Sequence, residues 1–412
     1  MIDANTFVHA LKRRAILLCA LFLAGCATPV EVLAPVAERT VPADASHVSM
    51  LVATSRQPSG DPGTLFSGER GRQLSLAAID VSIPPDATRH SGTVQWPRRL
   101  PPDPRKDFAV TRVEAMSVPQ VREWLRKDPH HGRALVFVHG FNNRFSDAVF
   151  RFAQIVHDSQ ADVAPILFTW PSRGRLLDYV YDRESANYSR TAFERGLKAL
   201  VLDPDVKDIT ILAHSMGTWL TVESLRQMAI REGNIPSKIK NVILASPDLD
   251  VDVFARQWTE MGTKRPKFTI FVSQDDKALA ASRLLSGGIT RVGAINPAEE
   301  PYRSAIEQAG ITVIDLTKLK TGDKLNHGKF AESPEIVQLI GKRIATGQAM
   351  TATNAGLGST VGAMVLGTAN VVGTVAAKSI SAPLDMIEQR PESTGKASVG
   401  EILQSNEEAQ VD

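Results

Sequence analysis

Cysteine is nearly absent: Cys19 and Cys26 are the only two in 412 residues. That excludes a disulfide-stapled scaffold and a four-thiolate zinc site. An excess of one charge is also missing, with 47 Lys and Arg against 45 Asp and Glu and a formal net charge of +2. A nucleic-acid binder shows a basic excess, so nothing argues for that class. No uninterrupted apolar run reaches the roughly 20 residues a membrane-spanning helix needs. What is present, 43% apolar and 22% charged residues, is the balance of an ordinary globular protein. It argues against wholesale disorder, a coiled coil and a collagen-like chain. The length suits one large or two ordinary domains.

The first residues divide differently. Lys12, Arg13 and Arg14 precede eleven uncharged residues, Ala15 to Gly25, and then Cys26. A basic cluster, a short apolar run and small residues before a cleavage point form an export signal. The ending Leu23-Ala24-Gly25-Cys26 resembles the lipobox of bacterial lipoproteins, which implies removal of residues 1–25 and acylation of Cys26. Loss of Lys12, Arg13, Arg14 and Asp3 leaves 44 charges of each sign, and Cys26 as the sole cysteine. The expected location is the bacterial envelope. Ala27 resembles the outer-membrane default of such lipoproteins, so the outer membrane's periplasmic face is expected ahead of the inner membrane.

Residues 26–46 carry three prolines and read as a flexible tether. A folded domain is expected over 47–343. Its first strands are placed at 48–53 and 76–83, with residues 57–73 as a polar loop and the Pro-rich 96–107 irregular. From about residue 108, apolar runs alternate with helical segments. Strands are expected at 134–138, 164–169, 208–213, 241–245, 268–272 and 312–316, with helices through 145–158, 185–200 and 217–231. Continuous apolar strands separated by helices specify an α/β fold, a mostly parallel sheet covered on both faces. Residues 344–386 are rich in small residues, and 344–377 carry no charge. Leu357–Ala377 has a Gly-xxx-Gly pattern, but its Asn, Thr, Ser and Gly residues favour a helix or hairpin packed on the domain over membrane insertion. Residues 387–412 read as a polar disordered tail.

The sharpest chemical signal is Ala213-His214-Ser215-Met216-Gly217, set between a strand and a helix. A nucleophile elbow holds its serine on a strained turn and needs small residues two before and two after it. Ala213 and Gly217 meet that need, although the first is more often Gly. The amide of Met216 points where an oxyanion forms. A second donor comes from the loop after an earlier strand, here Phe137-Val138-His139-Gly140-Phe141, and the candidate is the amide of Phe141. Gly140 permits close approach. His139 precedes the nucleophile and suits loop shaping better than base catalysis. A serine needs a base, and the base a carboxylate, in the chain order Ser, acid, His. His327 is the only histidine after Ser215. For the acid, Asp276 is preferred, then Asp275, then Asp248 or Asp250. Leu176–Tyr181, with Tyr179 and Tyr181, reads either as an acyl-binding wall or lid, or as the first turn of a helix packed on the core.

Taken together, VFVHGFNNRFSDAVFR, ILFTWPSRG, YDRESANYSR, ITILAHSMGTWL and SQDDKALAASRLL resemble the DUF900 family, bacterial α/β-hydrolases of undefined function that are similar to esterases and lipases. The resemblance covers roughly residues 47–343. It implies an α/β-hydrolase fold with Ser215 as nucleophile, Asp276 as acid and His327 as base. It also implies that Trp170, Ser172, Arg173 and the Asp182-Arg183-Glu184 segment lie near the pocket.

The expectation is a lipid-anchored serine hydrolase cleaving a small-molecule or lipid carboxylic ester. No cofactor or metal is expected, because His and acidic residues show no ligand spacing. Protein partners are not indicated by the sequence. Two rivals stand beside this reading: a non-catalytic envelope scaffold or binding lipoprotein that keeps the fold, and a serine peptidase.

Overall fold

A computed structural model describes residues 31–346 and 364–366. The leader, Cys26, residues 387–412 and most of 344–386, including all of Leu357–Ala377 but three residues, lie outside the described residues. Ten strands form one sheet: β1 Ser46–Pro58, β2 Phe66–Ile83, β3 Ala109–Ala115, β4 Arg133–Val138, β5 Ala164–Thr169, β6 Asp208–His214, β7 Ile239–Ala245, β8 Lys267–Val272, β9 Thr312–Asp315 and β10 Met364–Leu366. Their spatial order is β10-β9-β8-β7-β6-β4-β5-β1-β2-β3. The run from β9 through β1 is parallel throughout. The outer pairings β1–β2, β2–β3 and β9–β10 are antiparallel. This is an α/β-hydrolase fold, as expected.

The helices are α1 Val118–Lys127, α2 Phe145–Ser159, α3 Tyr179–Leu202, α4 Met216–Glu232, α5 Val251–Glu260, α6 Lys277–Leu285, α7 Tyr302–Ala309, α8 Lys329–Glu332 and α9 Pro334–Thr346. Among the described residues no helix is long and apolar enough to cross a membrane. The sheet separates two cores, and β4 shows why its strands read as unbroken apolar runs. Leu135 and Phe137 enter one core with Phe150 and Phe152 of α2 and Ile336 and Ile340 of α9. Ala134, Val136 and Val138 enter the other with Phe193 of α3 and Leu220 and Leu225 of α4. Successive side chains point to opposite faces, so a strand covered on both sides must be apolar at every position.

Three expectations are corrected. The tether is not free over its whole length: Val32 and Leu33 are buried in the core, Leu33 N donates to Gly63 O at 2.9 Å and Val36 N to Val110 O at 2.8 Å. The loop expected at 57–73 shrinks, because β2 starts at Phe66 and pairs with β1 through Arg56↔Arg70 and Pro58↔Phe66. One face of that hairpin is solvated, so its polar text hid a strand. Helix α3 starts at Tyr179, six residues ahead of the expected Ser185. Residues 96–107 contain no helix or strand.

The irregular region before β3 is pinned to α2 by a buried ion pair, Arg89 Nη1 to Asp158 Oδ1 at 2.5 Å. Asp158 also accepts from the amide of Gly92 at 2.7 Å. Burial pushes the Asp158 carboxyl up, but His157, Arg89, Gly92 and Gln154 together hold it well below the ordinary carboxylate range. A carboxylate with a depressed folded-state pKa stabilises above its unfolded value of about 3.9, and that contribution is lost as pH falls below it. Asp158→Ala should therefore cost about 3 kcal/mol at neutral pH by removing the buried partner of Arg89, whose other carboxylate, Asp86 at 3.4 Å, is solvated. Urea titrations from pH 7 to pH 3 should show a shallower acid loss of stability in the variant than in the parent.

Candidate active site

Strand β6 ends at His214 and α4 begins at Met216, which leaves Ser215 alone on the turn, at φ 53° and ψ −124°. Such a backbone is strained for any residue with a Cβ and persists only when its surroundings fix it. They do: Ser215 N donates to Ala245 O of β7 at 3.0 Å, and Ser215 O accepts from Thr218 N at 3.0 Å and Asp248 N at 3.3 Å. The small residues around the turn are required by β4 next door. A Cβ on Gly217 would stand 2.3 Å from His139 O, and one on Gly140 would stand 2.7 Å from Ser215 Cβ. The ends of β4 and β6 are therefore in direct backbone contact. Neither Phe141 N nor Met216 N has a hydrogen-bond acceptor among the described residues.

The loop after β4 is held from behind. His139 Nδ1 lies 2.8 Å from Gly140 O, so this nitrogen donates. Its Nε2 accepts from Trp170 N at 3.2 Å and Arg56 Nη2 at 3.3 Å. Burial, then the nearby Arg56 charge, lowers the His139 pKa to about 3. His139 is thus a neutral loop-shaping imidazole, as expected, with the Trp170 ring stacked on it at 4.8 Å.

Arg56 is wholly buried and donates to Ser172 O and Asn143 O, both at 2.8 Å. Buried Asp182 accepts from Ser172 Oγ at 2.5 Å, Arg173 N at 3.1 Å and Asn142 N at 3.2 Å. Burial outweighs these bonds and raises the Asp182 pKa.

The loop that carries His327 converges on the same end of the sheet. His327 Nδ1 lies 2.7 Å from Asp276 Oδ2. Asp276 is buried and caps α6, accepting Leu279 N at 2.9 Å. His214, the neighbour of Ser215, reaches His327 O with Nε2 at 3.2 Å, and Ser246 Oγ bonds the same carbonyl at 3.1 Å. The two imidazole rings are 4.7 Å apart. Asp323 accepts the amides of His327 at 2.5 Å, Gly328 at 2.7 Å and Leu325 at 2.8 Å. Burial raises the Asp323 pKa, but those three bonds and the His327 charge lower it further. Ser215 Oγ has no hydrogen-bond partner among the described residues.

The other carboxylates have different partners. Asp275 binds the buried Lys329 ammonium at 2.8 Å and Asn326 Nδ2 at 3.0 Å. Asp248 accepts from Ser282 Oγ at 2.5 Å and Tyr179 OH at 3.2 Å, with Arg291 Nε at 3.3 Å. Asp250 caps α5 through Asp252 N and Val253 N. None of the three meets His327.

A cleft with about 410 Å³ of empty space adjoins Met216, lined by Tyr179, Arg183, Trp219, Asp248, Val253 and Arg291 among others. Of the expected pocket residues, Tyr179 lines it. Trp170 and Ser172 instead hold the loop after β4. Tyr181 lies between Arg173 (3.6 Å) and Arg70 (4.9 Å) and bonds Glu69 on the β1–β2 hairpin. Arg173 forms an ion pair with the same Glu69 at 2.9 Å. Neither residue lines the cleft. Leu176–Asp178 is a short 3-10 turn and Tyr179 opens α3, so the first-turn reading describes the backbone. Leu176, Leu177 and Val180 nonetheless stay exposed. Among the described residues no three His, Cys, Asp or Glu side chains converge to hold a metal ion.

Sequence reasoning missed Arg56, Asp323 and the structural use of His214. Asp323 had a local signal, since an Asp in a polar loop often accepts the amide two residues on, here that of Leu325. Arg56 had none, because a strand-end arginine reads as surface.

Residues 114–343 match a family described as α/β-hydrolases of unknown function (DUF900). The match covers more than half of the chain, and the chain belongs to this family. An uncharacterised protein of Nostoc sp. is 34% identical over 91 residues, which are 21% of this chain and 23% of that protein. The chain thus matches about a quarter of that relative's length. An esterase of Pyrobaculum calidifontis shares 11% identity at a TM-score of 0.32, covering 84% of this chain and 94% of that one. A further structure, of a hyperthermophilic esterase from the same archaeon, gives 11% and 0.29, covering 84% and 91%.

Asp323→Ala frees three amides that hold the His327 loop. Reaction with a fluorophosphonate probe should slow about tenfold, while the melting temperature should change by only a few degrees. Probe kinetics and calorimetry on the same sample check both.

Proposed function

We propose that the protein is a serine hydrolase that cleaves a carboxylic ester, acting through Ser215, His327 and Asp276. The observation that carries this is the pairing at one sheet end of a strained, fixed Ser215 with an imidazole whose Nδ1 donates to a buried carboxylate. In that state His327 Nε2 is the basic nitrogen. It takes the Ser215 proton as Oγ attacks the carbonyl, then returns it to the leaving alcohol. Asp276 holds the tautomer and stabilises the imidazolium. The free amides of Phe141 and Met216 receive the oxyanion, and one such donor is typically worth about 100- to 1,000-fold in rate. Water then resolves the acyl-enzyme by the same proton path in reverse.

The unpartnered Ser215 Oγ is the one observation on the side of a non-catalytic scaffold. Catalytic hydrogen bonds are often long without substrate and tighten on binding, so it weighs little. A fluorophosphonate probe separates the readings. Labelling that vanishes in Ser215→Ala, and turnover of a short-chain ester that falls about 10,000-fold in Asp276→Asn, are expected. A folded sample that takes no label overturns the enzyme. Release of amines from peptides in place of alcohols from esters would make it a peptidase.

The proposal includes the anchor: export, and a lipid on Cys26 that holds the protein at a bacterial membrane, the outer membrane's periplasmic face being preferred. The support is the lipobox-like text alone. Metabolic labelling with a fatty-acid analogue should mark the parent and not Cys26→Ser. Equal labelling of both overturns the anchor.

A further inference from the structure

Thirteen large apolar side chains are exposed among the described residues, and they are not scattered. Six lie on three segments that leave the sheet at the end carrying Ser215: Leu176, Leu177 and Val180 after β5, Leu284 and Leu285 on α6 after β8, and Leu325 after β9. Leu177 is 99% exposed and Leu284 82%. The segments touch one another. Tyr179 OH lies 2.9 Å from Ser282 Oγ on α6, and Leu325 O accepts from Lys277 N at 2.9 Å. Together they form one apolar rim beside the cleft. Solvated leucines brought together in this way mark a contact surface rather than chance exposure.

Cations predominate among the unpaired charges on these segments. The side chains of Arg175, Arg183 and Lys324 have no partner among the described residues, and Arg283 bonds only a backbone carbonyl, Gly288 O. The acids on the same segments are already engaged. Asp178 pairs with Arg173 at 3.5 Å, Asp182 is buried, and Asp323 holds three amides. Residues 277–288 contain no acid. Glu184, the next exposed carboxylate along α3, stands one turn beyond Val180. Leucines interspersed with unpaired cations are the chemistry that enters an anionic bilayer surface, with apolar tips in the acyl boundary and guanidinium groups among the headgroups.

The start of the described chain points the same way. Glu31 lines a groove with Ser172 and Arg173, next to the Leu176–Val180 segment. Five steps of chain separate it from Cys26, a reach of at most about 18 Å. A lipid on Cys26 would hold this end of the fold, and not the other, against the bilayer.

We propose that this rim docks on an anionic phospholipid surface, so that the mouth of the site opens onto the membrane and receives lipid-borne esters. The proposal rests on the hydrolase reading for what the mouth does, and on Cys26 for which end faces the bilayer.

The test uses the full chain with Cys19 and Cys26 replaced by serine, so that a lipid plays no part, and one environment-sensitive dye. The dye sits on Leu177→Cys or on Leu202→Cys. Leu202 is similarly solvated (71%) at the far end of α3, about 35 Å away. Vesicles of phosphatidylglycerol and phosphatidylethanolamine with brominated acyl chains are added. The dye at 177 should lose at least half of its emission and the dye at 202 less than a tenth. Leu176→Ser with Leu284→Ser should cut the response at 177 at least fivefold, and vesicles of phosphatidylcholine alone should give little response. Equal responses at both positions, none at 177, an unchanged double variant or an equal response to phosphatidylcholine overturns the proposal. Fluorophosphonate labelling of the same samples reads Ser215 independently: if it fails while the dye responds, the hydrolase reading falls and the docking surface stands.

Discussion

The close approach of two neighbouring parallel strands at their C-terminal ends sets the terms for everything around the site. Strands β4 and β6 run side by side, and beyond their last residues the chain has no room for a side chain at two places. Gly217 lies under the carbonyl of His139, and Gly140 lies against the Cβ of Ser215. This contact holds Ser215 in a backbone conformation it would otherwise leave, and sets the free amides of Phe141 and Met216 on adjoining turns. Preorganised donors of this kind do not have to reorient when charge develops, which is where their effect on a rate arises.

Holding that contact requires polar groups deep in the protein, and the fold satisfies them mostly from the backbone. Arg56 has no carboxylate in direct contact and donates to the carbonyls of Ser67, Ser172 and Asn143. Its burial lowers the pKa to about 10, with Asp182 and Asp147 acting in the opposite direction. Asp182 and Asp323 each collect main-chain amides, and Lys329 caps Leu316 O and Thr317 O while binding Asp275. A buried charge with several fixed dipoles around it is expensive to disturb, because truncation of either side leaves the other unsatisfied. The loops that carry Phe141 and His327 are therefore irregular in shape without being free to move.

Much of this was legible in the sequence, and the boundary has a physical cause. The strands at 134–138 and 164–169 were readable because burial on both faces forces an unbroken apolar run. Ser215 was readable because a strained turn admits few residues beside it. Asp276 and His327 were readable by chain order and by likeness to the family, although order alone left Asp275, Asp248 and Asp250 open. Those three are separated from Asp276 by their partners Lys329, Ser282 and the N-terminal amides of α5, which only the folded chain brings near. Arg56 was not legible, since its burial depends on the hairpin end where the first part of the second strand, paired to it at Arg70, reads as a loop. Val32 and Leu33 read as tether because their partners lie far along the chain at Gly63 and in the core. Tyr179 lines the cleft and Tyr181 does not, although both begin the same helix. Two residues of helix turn them about 200° apart, one towards Asp248 and one towards Glu69.

His214 ties the turn of Ser215 to the loop of His327. Its Nε2 faces the carbonyl of His327, so this nitrogen carries the hydrogen and Nδ1 is bare. Burial, and then the charge His327 would carry, hold its pKa well below the ordinary imidazole value. Two imidazoles 4.7 Å apart could otherwise compete for one proton. Here only one of them has a carboxylate at Nδ1, and the other lies between that ring and Phe330. The same His214 hydrogen bond keeps the His327 loop beside Ser215, although His214 does not itself meet Asp276.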